Sequence, residues 1–190
     1  MIYVKDNFLG EEFFEIVNKH IDSNEFIKTD VGNAFFYVQE SDQDFNDYII
    51  SRLEKIEKCE LVNILSFFRV ATDKLDTSWR IHSDLNVNGE RPDRALVLYL
   101  SPKERTDLHG TAFWEHNVYG KELPLEITDA EYDETINLDA NELDRWNLKS
   151  VIGYEPNRLL SYPANYFHSK YPNEGWKEGR KVFVMFYKFK

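Results

Sequence analysis

Cysteine is nearly absent: Cys59 is the only one in 190 residues. No intrachain disulfide can staple the fold, which fits a reducing compartment. With Ile56, Leu61 and Val62 around it, Cys59 reads as a small buried hydrophobe rather than a reactive thiol. Long apolar runs are missing too. The longest, residues 95–100 and 182–187, fall far short of the roughly 20 residues that a membrane-spanning helix needs. The opening Met1-Ile2-Tyr3-Val4-Lys5-Asp6 lacks the apolar stretch of a signal peptide. Positive charge is in deficit, 23 Lys and Arg against 34 Asp and Glu, for a formal net charge of -11. A field of that sign repels phosphate backbones and anionic lipid headgroups, so neither nucleic acid nor a membrane is an expected partner. The chain is expected to be soluble and cytoplasmic. It carries no internal repeat and no low-complexity tract.

What is abundant is aromatic: Phe, Tyr and Trp make up 15% of the residues. Planar side chains fit a pleated, half-buried surface, which favours a sheet-rich core. The length suits a single domain, residues 1–190. Two amphipathic helices are predicted first. Phe13, Ile16, Val17 and Ile21 recur at helical spacing after Gly10, with Glu11, Glu12 and Glu15 near the positive end of the helix dipole. A second helix is predicted over about residues 44–58, with Phe45, Tyr48, Ile49, Leu53 and Ile56 as its apolar face. Ser41 or Asp42 caps its start.

After Glu60 the texture changes to short β-like runs: residues 61–70, 79–85, 95–100, 111–116, 158–162 and 180–189. Turn chemistry separates them at Asn88-Gly89, Arg91-Pro92-Asp93, Ser101-Pro102, His109-Gly110, Glu155-Pro156 and Asn173-Glu174-Gly175. Leading helices and then many short strands predict a mainly β, α+β architecture: a jelly roll over residues 61–190 buttressed by helices in residues 1–60. Residues 117–157 break the rhythm with a long, acidic, weakly periodic insert. It is either a solvated loop or a lid over the site.

His82-Ser83-Asp84 puts an imidazole and a carboxylate on one face of an extended strand, because residues i and i+2 point the same way. Two His and one carboxylate leave coordination positions of an iron site open. The triplet alone is weak, since His20-Ile21-Asp22 matches it at the end of a predicted helix, where i and i+2 do not share a face. The residues downstream of it distinguish His82. His168 comes after residues 158–163 as a distant third ligand, and twelve residues later Arg180 opens the last strand. Its guanidinium suits bidentate pairing with a carboxylate. Val182, Val184 and Phe186 share its face and would wall a pocket. The bland alternatives are an ion pair of His82 and Asp84 on an edge strand, a satisfied buried His168, and an Arg180 that only solvates a strand end. His109 and His116, seven residues apart, read as turn or surface residues. Trp79 and Trp114 read as core or pocket wall.

From about Leu61 onward the chain resembles the iron(II)/2-oxoglutarate dioxygenases, in the prolyl-hydroxylase-like branch. The resemblance rests on His82-Ser83-Asp84, residues 95–101, the Gly-led 110–114, Phe167-His168-Ser169 and Gly179-Arg180. Gly110-Thr111 stands where the family has Gly-Gly, and the aromatic before the HxD strand aligns with either Phe68 or Arg69. The resemblance implies a double-stranded β-helix, with His82, Asp84 and His168 as iron ligands. It implies Arg180 as the anchor of 2-oxoglutarate, with Tyr99 beside the same carboxylate or in the core. The reaction implied is oxidation of 2-oxoglutarate by dioxygen to succinate and CO2, coupled to hydroxylation of a C–H bond. The substrate is open among proteins, peptides and small metabolites. Tyr162, Tyr166, Phe167, Tyr171 and Trp176 near the expected mouth suit a hydrophobic one. Two rivals stand beside this reading: a cupin-like metal enzyme that does not use 2-oxoglutarate, and a non-catalytic module on the same fold.

Overall fold

The computed structural model describes residues 1–31, 34–72, 74–76, 79–101, 109–172 and 179–190. In chain order the elements are β1 (Tyr3–Lys5), α1 (Glu11–Asp22), β2 (Ile27–Val31), β3 (Ala34–Glu40), α2 (Gln43–Glu57) and β4 (Leu61–Ala71). Next come β5 (Arg94–Tyr99), β6 (Gly110–His116), α3 (Asp129–Asp139), a 3-10 turn (Leu143–Arg145), β7 (Trp146–Gly153), β8 (Leu159–Pro163), β9 (His168–Tyr171) and β10 (Arg180–Phe189). A seven-stranded sheet runs β1-β8-β5-β10-β4-β3-β2 and a three-stranded one β7-β6-β9. Every ladder in both is antiparallel.

The large sheet is buried on both faces, which explains the near-continuous apolar runs of its central strands. On β10, Phe183, Met185 and Tyr187 point outward with Leu96 and Leu98 of β5 and Phe68 of β4. They meet Val17 and Ile21 of α1 and Phe45, Ile49 and Leu53 of α2. The alternate residues Val182 and Phe186 point the other way and join Ala95, Val97, Tyr99, Leu160 and Tyr162. Fully burying each such Val, Leu, Ile or Phe contributes about 1.5–3 kcal/mol, so the helices brace the sheet by covering its outer face.

Both helices begin where the residues dictate. Asp42 caps α2, its Oδ1 accepting from the Phe45 amide at 2.7 Å, which settles the choice between Ser41 and Asp42. On α1 the buried stripe is narrower than expected: Val17 and Ile21 are buried, while Ile16 is 53% exposed. The Asn88-Gly89 turn has both residues at positive φ, 53° and 78°, the conformation these two residue types favour. Gly110 meets a different demand. A Cβ there would lie 2.1 Å from the Ile152 carbonyl oxygen, so β6 and β7 approach only because it is absent.

Four expectations need correction. Residues 1–60 are not purely helical: β1, β2 and β3 lie among them and extend the large sheet at both edges. Residues 79–85 form no ladder strand, only one bridge between His82 and His168. The acidic insert is no bare loop, because it contains α3, the 3-10 turn and β7. Leu123, Ile127 and Trp146 pack there with Ile81, Leu85 and Phe167 in a third core cluster. His109 and His116 are buried rather than superficial. Cys59 is half-buried against the first cluster. Pro102, the turn at Asn173-Glu174-Gly175 and Trp176 lie outside the described residues. No helix among the described residues is long and apolar enough to cross a membrane.

Candidate active site

Between the two sheets lies a cavity of about 270 Å³. Its floor is the inner face of the large sheet. The register Val182↔Arg69, Val184↔Phe67, Phe186↔Leu65 and Val184↔Val97 sets these side chains in rows, and all of them line it. Its opposite wall carries His82, Asp84, His168, Lys170 and Thr111.

The segment bearing His82 is extended without belonging to a sheet. The His82 amide donates to the His168 carbonyl at 3.0 Å and the reverse bond is 2.8 Å, while the Asp84 amide donates to Ala164 at 2.8 Å. Its reverse side is pinned by Ile81 and Leu85, 0% and 3% exposed. That alternation turns Arg80, His82 and Asp84 together into the cavity, where all three line it.

His82, Asp84 and His168 each offer a ligand atom within 4.8 Å of the others. His168 Nε2 is 3.2 Å from Asp84 Oδ2, and His82 Nε2 is 3.7 Å from Asp84 Oδ1. Each ring is oriented from behind. His82 Nδ1 lies 3.2 Å from the Arg80 carbonyl and His168 Nδ1 3.0 Å from the Tyr166 carbonyl, so both rings present Nε2 to the carboxylate. Burial, reinforced by the neighbouring His168, pulls His82 down to about 3, so this imidazole is neutral at physiological pH. Burial pushes Asp84 upward, yet His168 and His82 outweigh it and hold the carboxyl below its ordinary value. Two imidazole nitrogens and a carboxylate thus converge in a semi-enclosed space, a donor set that suits a divalent cation.

Arg180 is buried on the same cavity. Its Nη2 donates to Thr111 Oγ1 at 3.4 Å, and its guanidinium carbon is 5.4 Å from the Tyr99 ring centroid. The Tyr99 hydroxyl shares Thr111 Oγ1 at 2.8 Å, and its ring stacks on Tyr154 at 4.5 Å. Burial raises the Tyr99 phenol, which stays protonated.

Of the aromatics expected at the mouth that lie among the described residues, only Tyr162 lines the cavity; Phe36, Phe67, Tyr132 and Phe186 join it. Phe167 is fully buried in the third cluster. Trp79 and Trp114 pack edge to face, 6.3 Å apart, and lie outside the lining. Arg69, not Phe68, reaches the cavity, while Phe68 sits in the helix-facing core. His116 holds the end of α3: its Nε2 is 3.0 Å from Asp139 Oδ2, and its ring stacks on Tyr119. Thr111, Arg69, Arg80, Lys170 and Tyr132 went unread as site residues. The i+2 rule that paired His82 with Asp84 also reaches back to Arg80, and from His168 forward to Lys170.

No family model and no curated protein matches the chain in sequence. Solved structures do match in fold. HygX from Streptomyces hygroscopicus, with nickel, 2-oxoglutarate and hygromycin B bound, superposes at a TM-score of 0.62 and 13% identity, over 100% of this chain and 83% of that one. A Pseudomonas putida prolyl-4-hydroxylase gives 0.58 and 10%, over 100% and 92%. SnoK, a non-haem α-ketoglutarate-dependent carbocyclase of nogalamycin biosynthesis, gives 0.65 and 10%, over 98% and 79%. The chain has the fold of the non-haem 2-oxoglutarate-dependent oxygenases.

Proposed function

We propose that the chain is an iron(II)- and 2-oxoglutarate-dependent oxygenase of the prolyl-hydroxylase-like type, a double-stranded β-helix whose mouth holds the metal. The observation that carries this reading is the convergence of three N and O donors within 4.8 Å in a cavity that also contains a buried arginine. His82, Asp84 and His168 would hold iron(II), since two imidazoles and one carboxylate leave positions open for further ligands. When bound, iron(II) supplies the dioxygen activation that no side chain can, with 2-oxoglutarate as the electron source that leaves as succinate and CO2.

The chain's own residues supply position and dryness. Arg180 would pair with the distal carboxylate of 2-oxoglutarate, and the Thr111 hydroxyl holds the guanidinium in place from the side. Tyr99 buttresses both through its hydroxyl and its ring. Val182, Val184 and Phe186 keep the neighbouring space apolar, which strengthens the ion pair. The backbone carbonyls of Arg80 and Tyr166 keep the two imidazoles turned inward. The insert serves as a lid: Tyr132 of α3 lines the cavity, and its hydroxyl donates to the Ser83 carbonyl at 2.7 Å. Residues 1–190 act as one domain. The outcome on the substrate is hydroxylation of a C–H bond.

An anaerobic titration of the metal-free protein with iron(II) and then 2-oxoglutarate tests this. A weak visible charge-transfer band is expected, absent in His82→Ala and diminished in Arg180→Ala. Iron binding without the band would instead favour a cupin-like enzyme that ignores 2-oxoglutarate. Absence of iron binding would leave a non-catalytic module.

A further inference from the structure

The cavity carries more positive charge than this reading uses. Among the described residues Arg69, Arg80, Lys170 and Arg180 all line it, against a single lining carboxylate, Asp84, in a chain whose formal net charge is -11. Behind the wall Asp76, with a fully buried side chain, meets both Arg69 and Lys170, and Lys170 Nζ also donates to its carbonyl at 2.7 Å. Asp76 therefore offsets one of those two cations. Iron(II) and the 2-oxoglutarate dianion cancel each other. Among the described residues, four cations against Asp84 and Asp76 leave two positive charges, both on the side of the cavity formed by Arg69, Arg80 and Lys170.

Arg80 is the informative member. It is half-buried, and no carboxylate among the described residues lies within ion-pair distance of it. Its position two residues before His82 aims it at the same space as the metal-binding face. A cation in such a partly desolvated place is unfavourable unless an anion meets it. Apolar surface adjoins it: Phe36 lies under the Arg69 guanidinium at 4.0 Å, and Phe67 and Val184 continue the floor.

We propose that the primary substrate bears an anionic group, carboxylate or phosphate, that seats on Arg80 with the Arg69–Asp76–Lys170 cluster behind it, and an apolar body that lies on Phe36 and Phe67. This rests on the oxygenase reading and narrows its substrate class. It also gives the excess charge a use distinct from that of Arg180.

The test is calorimetric, on the full chain loaded with nickel(II) and saturating 2-oxoglutarate, so that the Arg180 position is occupied. The probes are 3-phenylpropionate, phenylphosphonate and the neutral 3-phenylpropanamide. At least one anion should bind about tenfold or more tightly than the amide, and which anion binds tighter identifies the group. Arg80→Gln should lose at least about tenfold in affinity for that anion, with nickel and 2-oxoglutarate still bound at the saturating concentrations used. Equal binding of amide and anions, no anion binding by the wild type, or an unaffected Arg80→Gln would each overturn the proposal. The same titrations without nickel and 2-oxoglutarate separate the two readings. Failure to bind those two ligands strikes the oxygenase assignment, whereas Arg80-dependent anion binding would still stand.

Discussion

Thr111 concentrates the residue-scale argument, because one hydroxyl serves two neighbours: it lies 2.8 Å from the Tyr99 hydroxyl and accepts from Arg180 Nη2 at 3.4 Å. Thr111→Val keeps the shape and deletes the oxygen. Losing a buried hydrogen bond of this kind costs about 1–1.5 kcal/mol, so 2-oxoglutarate should bind roughly tenfold more weakly, with iron(II) affinity unchanged. Titration of both ligands into the variant reads the split directly. A variant equal to wild type in both would show that Arg180 is oriented by other groups. The same scale shows what was legible and what was not. His82, Asp84, His168 and Arg180 could be read because their residue types and spacing are rare together, and the fold brings all four to one cavity. Thr111 has no such signature: a threonine in a strand is ordinary, and only its neighbours give it a role. Arg80 and Lys170 were within reach of the i+2 rule, but a cation carries little meaning until the cavity it faces is known.

At the scale of elements, the central strands were legible because both of their faces are buried, whereas β7 and the first hairpin were not. Half of β7 is exposed and only Trp146 in it is buried, so no apolar run announces it, and β9 is four residues long. β2 and β3 pair with each other at the sheet's edge. The three central residues of β2 are polar, which an edge tolerates, whereas the apolar run 34–38 of β3 carries a strand signal that its place between two predicted helices obscures. The insert was read by its charge, while its structural content lies in a few apolar anchors. Removing residues 122–144 would strip Leu123 and Ile127 from a buried cluster and cost several kcal/mol, so deletion cannot isolate a lid function. Tyr132→Phe can. It removes the hydroxyl that ties α3 to the Ser83 carbonyl, a bond worth about 1 kcal/mol, and keeps the ring. The other ties of α3 persist: the Thr128 and Glu131 capping box and the contact of His116 with Asp139. Amide hydrogen exchange across α3 is therefore expected to quicken by roughly fivefold, with metal binding within twofold of wild type. Unchanged exchange would mean that α3 is held by its ends alone and that Tyr132 does not govern its opening.

In a molecule of formal net charge -11, four cations, Arg69, Arg80, Lys170 and Arg180, line one cavity between the sheets. The three side chains proposed to hold the metal belong to segments far apart in the chain, since His82 and Asp84 precede β5 while His168 begins β9. They are joined in the fold by a pair of backbone hydrogen bonds between His82 and His168. A ligand that holds His82, Asp84 and His168 together therefore binds the folded chain and has little counterpart in the unfolded one, so binding must raise global stability. At one hundred times the dissociation constant the gain is about 2.7 kcal/mol. For a chain of this size each kcal/mol moves the midpoint by about 2–4 °C. Nickel(II) with 2-oxoglutarate should thus raise the thermal midpoint by roughly 5–10 °C, and a chelator should return it to the starting value. His82→Ala should abolish the shift due to the metal. In Arg180→Ala the shift due to nickel should survive, while the increment from 2-oxoglutarate disappears. A shift that persists in His82→Ala would place the metal elsewhere on the acidic surface. An increment from 2-oxoglutarate that persists in Arg180→Ala would move the co-substrate to the cations around Arg80, and the two anchors would then have to exchange roles.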